Sequence, residues 1–292
     1  LDMMDEDPQV SADPEATEAV ETEATPLLSP AEGVPEVCVT AGEISSAATS
    51  LAKGSGPFAI DAERASGFRY SNRAYLVQIR RAGSGTALID PVNHGGSPID
   101  AMAPVADALA TDEWVLHAAD QDLPCLSEIG LRPGKLYDTE LAGRLAGFER
   151  INLAAMVQRL LGLQLMKGHG AADWSKRPLP PEWLNYAALD VEVLVPIRDI
   201  LAEELRQAGK WEFAQQEFAH LLSFEPKVHA EPWRRTSGVA KLGSRAELAK
   251  VRALWEARDA MAAETDLAPS KVLRDRELID LARARVRSSD DI

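Results

Sequence analysis

Phe58-Ala-Ile-Asp-Ala-Glu63 is an apolar run that ends on two carboxylates one residue apart. Side chains alternate across a strand, so Asp61 and Glu63 project from one face and can share a cation. A lone Asp-x-Glu is also what a solvated strand shows, and other carboxylates must decide between the two. His117-Ala-Ala-Asp-Gln-Asp122 brings acids to a strand-to-helix junction. There Asp120 is the natural helix cap, and Asp122 is left over as either a first-turn acid favoured by the helix dipole or a ligand. His117 reads as a strand-end histidine, because the surrounding acids already supply the oxygen donors that suit Mg²⁺. Tyr186 and Asp190 stand at i and i+4, which places a phenol and a carboxylate on one helical face. A core tyrosine beside a solvated acid is the competing interpretation.

Asp61, Glu63, Asp122 and Asp190 occupy positions that can converge. Phosphodiester hydrolysis by two divalent ions about 4 Å apart is the chemistry that asks for such a set. Hard divalent cations take carboxylate oxygens, and four negative charges in one cleft repel strongly unless cations neutralise them.

The elements that position these groups follow from the pattern around them. Residues 1–36, rich in Glu, Asp, Ala, Thr and Pro, are expected to be a disordered acidic tail. A short helix over Ala41–Lys53 ends at Gly54-Ser-Gly56. Strands are expected at Pro57–Glu63, Ala74–Arg80 and Thr86–Asp90, with Gly83-Ser-Gly85 signalling an antiparallel hairpin between the last two. Apolar spacing through Ile99, Met102, Val105 and Leu109 gives a helix, and Trp114–His117 a buried strand. Further helices are expected at Thr139–Leu145 and Leu153–Leu161. Residues 162–181 form a loop carrying Lys167 and Arg177, and one long helix runs from Pro180 to about Gln207. Strand, hairpin, helix and strand together describe an α/β fold with a mixed β-sheet flanked by helices.

A chain of 292 residues, 46% hydrophobic, can bury a full core with a smaller unit attached. The formal charge of −15 argues against a nucleic-acid partner until its distribution is read. Residues 1–40 hold eleven acids and no Lys or Arg, whereas from Pro226 onward fourteen Lys and Arg face eleven acids. Cys38 and Cys125 have none of the spacings of a zinc site or redox pair and read as reduced thiols. No apolar run of about eighteen residues appears and the N-terminal stretch is acidic, so a cytoplasmic protein without a membrane partner is expected. The chain begins on Leu1 and stops within a charged helical pattern at Ile292, as a piece of a longer polypeptide would.

The three acidic segments, in order and spacing, resemble the three motifs of the DEDD superfamily of 3′–5′ exonucleases, and Tyr186 four residues before Asp190 resembles its tyrosine subclass. Tyr75-Leu-Val-Gln-Ile79, Asp138-Thr139 and Asp173-Trp174-Ser-Lys-Arg177-Pro are similar to the flanks found in the ribonuclease D family. Glu231-Pro-Trp-Arg-Arg235 resembles the linker that follows the nuclease in that family. Leu248 to Ile279 is similar to the first helices of a helicase-and-RNase-D C-terminal (HRDC) domain. The resemblance implies a ribonuclease H-like sheet in an exonuclease domain over 37–224, a linker over 225–244 and a partial all-α HRDC domain over 245–292.

It further implies that Asp61, Glu63, Asp122 and Asp190 hold two divalent ions, Mg²⁺ or Mn²⁺. Tyr186 would then orient the attacking water, since a phenol with a pKa of about 10 is a poor base at pH 7. Lys167, Trp174 and Arg177 would approach the substrate backbone or stack on a base. The expected activity is 3′–5′ exoribonuclease action by a monomer on RNA with a single-stranded 3′ end, tRNA precursors among them. A DNA-directed exonuclease and a catalytically silent RNA-binding module are the alternatives.

Overall fold

The computed structural model describes residues 24–93, 95–166 and 168–284. Strands β1 (Thr25–Leu27) and β2 (Val37–Cys38) lead into helix α1 (Ala41–Ala52). Thr40 caps α1 reciprocally with Glu43, the side chain of each accepting from the backbone N–H of the other. Strands β3 (Ser55–Glu63), β4 (Leu76–Ala82) and β5 (Gly85–Ile89) then form an antiparallel meander, whose β4–β5 half is the expected hairpin. Gly83 and Gly85 in its tight turn have φ of 82° and 76°, a backbone region that a Cβ disfavours. Next come α2 (Pro98–Leu109), β6 (Trp114–Leu116), α3 (Leu123–Glu128), β7 (Leu136–Asp138), α4 (Thr139–Ala146) and α5 (Leu153–Leu161). Strand β8 (Leu163–Leu165) precedes α6 (Pro181–Glu192), α7 (Leu194–Gln207) and α8 (Trp211–Leu221).

The six-stranded sheet has the order β2-β5-β4-β3-β6-β7. β3 is antiparallel to β4 but parallel to β6, so the sheet is mixed. Alternation along β3 divides two cores. Phe58 and Ile60 pack with Ile44, Met102 and Leu126 on one face, whereas Ala59 packs with Val157, Ile197 and Leu201 on the other. Asp61 and Glu63 continue the Ala59 face, where α6 and α7 lie against the strand.

Three expectations are corrected. The acidic tail is shorter than 1–36, because Thr25–Leu27 pairs in parallel with Leu163–Leu165. The Asn185 amide also donates to the Leu28 carbonyl at 2.9 Å, and Arg80 pairs with Glu32 at 3.2 Å. The apolar Pro26-Leu-Leu28 was averaged away by the acids before it; residues 1–23 lie outside the described residues. The long helix is two, broken at Val193. Pro196, third in α7, has no N–H to offer Glu192, and its ring would clash with that carbonyl in a continuous helix. The linker is also partly structural, since Trp233 is 6% exposed and packs with Val251, Leu278 and Ile279. Those residues belong to a helical unit of α9 (Arg245–Thr265), α10 (Pro269–Val272) and α11 (Asp275–Arg283). Among the described residues, no helix is long and apolar enough to cross a membrane.

Candidate active site

β3 delivers Asp61 and Glu63 at its C-terminal end, and α6 presents Asp190 and Tyr186 one turn apart opposite them. One carboxylate oxygen each from Asp61, Glu63 and Asp190 lie within 4.8 Å of one another. Asp122 completes the group by a hydrogen bond to Asp61. These acids, with Arg64, His117, Gln121 and Tyr186, line a cleft of about 370 Å³.

Asp122 arrives by a route that the sequence concealed. The chain leaves β6, turns through Ala118 at φ 55° and makes one 3₁₀ turn, Ala119–Gln121, before α3. Asp120 lies inside that turn and does not cap α3. Asp122 stands at the N-cap position without a side-chain cap bond, so its carboxylate is left for the cleft. The turn is latched from outside by Asp138, whose carboxylate accepts from the N–H groups of Ala118 (3.2 Å), Ala119 (2.8 Å) and Leu141 (3.0 Å).

Two neighbours partly compensate the acids. The Arg64 guanidinium lies 3.3 Å from Asp122. Gln78, fully buried on β4 directly opposite Asp61, donates its amide to Asp61 at 3.3 Å and to Glu63 at 3.2 Å. Its own Oε1 has no partner, a cost accepted for holding two carboxylates. Sequence reasoning missed this role. The Gly83-Ser-Gly85 turn sets only the β4–β5 register, in which Gln78 faces Leu88, and the long connection between β3 and β4 fixes no register, so no local signal pointed to Gln78.

Compensation is incomplete. Burial raises the carboxyls of Glu63, Asp122 and Asp190 well above their ordinary range, and the Asp61 charge pushes each further. Asp61 is raised by burial as well. Tyr186 bonds Asp190 through its hydroxyl, and burial followed by the Asp190 charge drives the phenol far above its usual value. The phenol stays protonated and acts as a donor. Gly168 lies against this ring so closely that a Cβ there would sit 3.0 Å from it.

The expected substrate contacts fare differently. Trp174 is fully buried, tilted against Trp183 with its indole N–H on the His169 carbonyl, so it has no face to offer a base. Arg177 is a clasp: it pairs with Asp90 at 2.7 Å and donates to the carbonyls of Trp174, Lys176 and Tyr75. Lys167 lies outside the described residues. Cys125, held by burial at a pKa of about 12, is an inert thiol beneath Asp122.

An all-oxygen set of buried carboxylates, short of positive charge, fits a hard divalent ion such as Mg²⁺ or Mn²⁺. Comparison with known proteins agrees with this geometry. The 3′–5′ exonuclease family profile matches residues 37–206 and the HRDC domain profile residues 247–292. A ribonuclease D from Sphingobium indicum is 32% identical over 216 residues, covering 70% of this chain and 53% of the relative. A crystal structure of a protein from Bifidobacterium adolescentis superposes with a TM-score of 0.85 at 41% identity, covering 92% of this chain and 66% of that one. Escherichia coli RNase D gives a TM-score of 0.66 at 28% identity over 85% of this chain and 66% of that chain. The chain spans about half the length of the curated relatives it matches. On the strength of the profile that covers its whole sheet and the acids converging at its centre, this chain belongs to the 3′–5′ exonuclease family.

Proposed function

We propose that the chain is a 3′–5′ exoribonuclease that removes nucleotides from single-stranded 3′ ends of RNA, tRNA precursors among them, acting as a monomer in the cytoplasm. The observation that carries this reading is the convergence of Asp61, Glu63, Asp122 and Asp190 on one cleft, with Tyr186 bonded to Asp190, in a member of the 3′–5′ exonuclease family. RNA is favoured as substrate by the likeness to ribonuclease D, whose Escherichia coli form is described as an exoribonuclease involved in structured RNA processing.

The four carboxylates would hold two divalent ions, which supply activation of water and stabilisation of the leaving oxygen when bound. The chain's own residues supply the rest. Gln78 fixes the orientation of Asp61 and Glu63 before any ion arrives. Tyr186, kept protonated, holds Asp190 and offers an orienting hydrogen bond without taking a proton. Arg64 offers positive charge at the edge of the cleft, where a phosphate enters.

The test is digestion of a 5′-labelled, 3′-extended tRNA beside a matched single-stranded DNA in Mg²⁺, Mn²⁺ or EDTA. We expect a shortening ladder on RNA that EDTA abolishes. Asp190→Ala should slow it by at least about a hundredfold, as for loss of a group that stabilises developing charge. Asp61→Asn should lose hydrolysis yet retain RNA. Equal cutting of DNA would move the assignment to a DNA-directed exonuclease, and binding without cutting by the wild type would leave a silent module.

A further inference from the structure

His117 stands at the rim of the cleft, one residue beyond β6, and no part of the proposed chemistry uses it. Its Nδ1 lies 2.9 Å from the Thr139 hydroxyl. Thr139 is fully buried and donates its only proton to the Leu116 carbonyl at 3.1 Å. The arrangement that satisfies both contacts has the hydroxyl accepting from His117, so the ring proton sits on Nδ1. Nε2 is then a lone-pair acceptor, and no group among the described residues donates to it.

Burial keeps the imidazole neutral, holding its pKa at about 4 against the small opposing pull of Glu140. A neutral acceptor is the wrong partner for phosphate, whose oxygens are acceptors themselves. It suits a hydroxyl or an N–H. Base N–H groups change with sequence, and the terminal 3′-hydroxyl is present in DNA and RNA alike. The ribose 2′-hydroxyl is the donor that recurs along RNA and is missing from DNA. The position agrees, because His117 lies where the acidic cleft opens into a groove lined by Gln121, Arg150 and Asn152 together with Glu140 and Glu149. A strand whose end reaches the acids has its last sugars at that junction.

We infer that Nε2 of His117 accepts a hydrogen bond from a ribose 2′-hydroxyl next to the scissile phosphate and thereby sets the preference for RNA over DNA. The inference rests on the exonuclease reading above and deepens it. Thr139 acts here as a positioning residue that fixes which ring nitrogen carries the proton.

The experiment is a double-mutant cycle between protein and substrate. Wild type, His117→Phe and His117→Gln are compared on an RNA oligonucleotide, the same RNA with 2′-deoxy sugars at its last two positions, and DNA. Cleavage is read as kcat/KM. In parallel, fluorescence anisotropy of the same oligonucleotides in EDTA reads binding alone. We expect His117→Phe to lose about five- to tenfold on RNA, the scale of one uncharged hydrogen bond, and nothing on the deoxy substrates. Wild type should lose the same factor when the 2′-hydroxyls are removed. His117→Gln, which keeps an acceptor, should recover part of the RNA preference, and thermal unfolding of both variants confirms that they fold. Equal loss on RNA and deoxy substrates, or no loss on either, overturns the assignment. If wild type cuts neither nucleic acid, the exoribonuclease reading falls, and the binding cycle still decides whether His117 reads the sugar.

Discussion

A buried glutamine between two carboxylates is expensive unless it does something that an apolar residue cannot. Gln78 bridges Asp61 and Glu63 without adding charge, so it lowers their repulsion and leaves their remaining lone pairs for a cation. Replacing such orienting partners typically weakens metal binding about 10–100-fold. We expect that loss of Mn²⁺ affinity for Gln78→Leu by titration followed with electron paramagnetic resonance, and an unchanged affinity would show that the acids orient themselves. His117 gives the residue scale a pH signature. Its native pKa of about 4 lies below the unfolded value near 6.5, so the unfolded chain takes up a proton that the fold refuses. The stability this group contributes is intact above about pH 6.5 and is lost as pH falls towards 4. The raised carboxyls act in the opposite sense, their penalty growing as pH rises, so wild type must be compared with His117→Phe. The fall in Tm between pH 6.5 and 4.5 should be smaller in the variant, and equal falls would remove His117 as the cause. At this scale the sequence showed the acids and Tyr186 clearly, because strand alternation and the i, i+4 rule act locally. Trp174 and Arg177 misled for the converse reason. An aromatic and a base in a glycine-bearing loop look like substrate contacts until burial and Asp90 are known.

Elements were legible where their cause is local and illegible where it is tertiary. The Gly83–Gly85 turn, the central strand and the start of the helix at Pro181 come from turn chemistry and periodicity, and each appears within about two residues of its expected position. The break at Val193 was also local, written in Pro196, but the apolar periodicity on either side masked it. β1 could not be read, because its partner β8 lies far along the chain. The same applies to the turn that carries Asp122, which is held by Asp138 from a neighbouring strand rather than by its own residues. Removing that carboxylate strands three backbone N–H groups, two of them buried beside a left-handed residue. We expect Asp138→Ala to cost about 3 kcal/mol in urea unfolding, within the range for unmet buried donors and a lost helix cap. Asp138→Asn, which keeps one acceptor oxygen but turns an NH2 donor towards an N–H that the second oxygen now receives, should recover only part of it. If the alanine variant unfolds like wild type, the turn is self-supporting and Asp138 is only a cap for α4.

For the whole molecule the question is what a small helical unit does for an exonuclease-family domain that already has its own core. Its own core is local, built on Trp233, Val251, Leu278 and Ile279, yet it touches the nuclease at one telling place. The segment between β3 and β4 begins with Arg64 and Ser66 in the cleft wall. A few residues on, the helical unit grips the same segment. Asp266 accepts from the Ser71 N–H at 2.8 Å, Ala268 donates to the Phe68 carbonyl at 3.1 Å, and the Tyr70 hydroxyl meets Asp259 at 3.2 Å. From the other side Arg69 reaches Ser175 at 2.9 Å. The connection is therefore held at both flanks, and the helical unit supplies order to a wall of the catalytic cleft. Asp266 is the residue to change, because it ends α9 in a left-handed conformation at φ 49° and caps a backbone group across the interface. Asp266→Ala removes the acceptor, whereas Asp266→Asn keeps an acceptor and tolerates that backbone. We expect amide exchange of a peptide over residues 68–73 to accelerate about tenfold in the alanine variant, equivalent to about 1.4 kcal/mol of local opening. The asparagine variant should stay close to wild type. KM for RNA should rise with the exchange rate while kcat changes little, since Asp61, Glu63 and Asp190 are anchored on β3 and α6 and Asp122 at the start of α3. Exchange that does not respond to Asp266→Ala would mean that the nuclease orders its own cleft wall, and the contact would then be packing without consequence for the site.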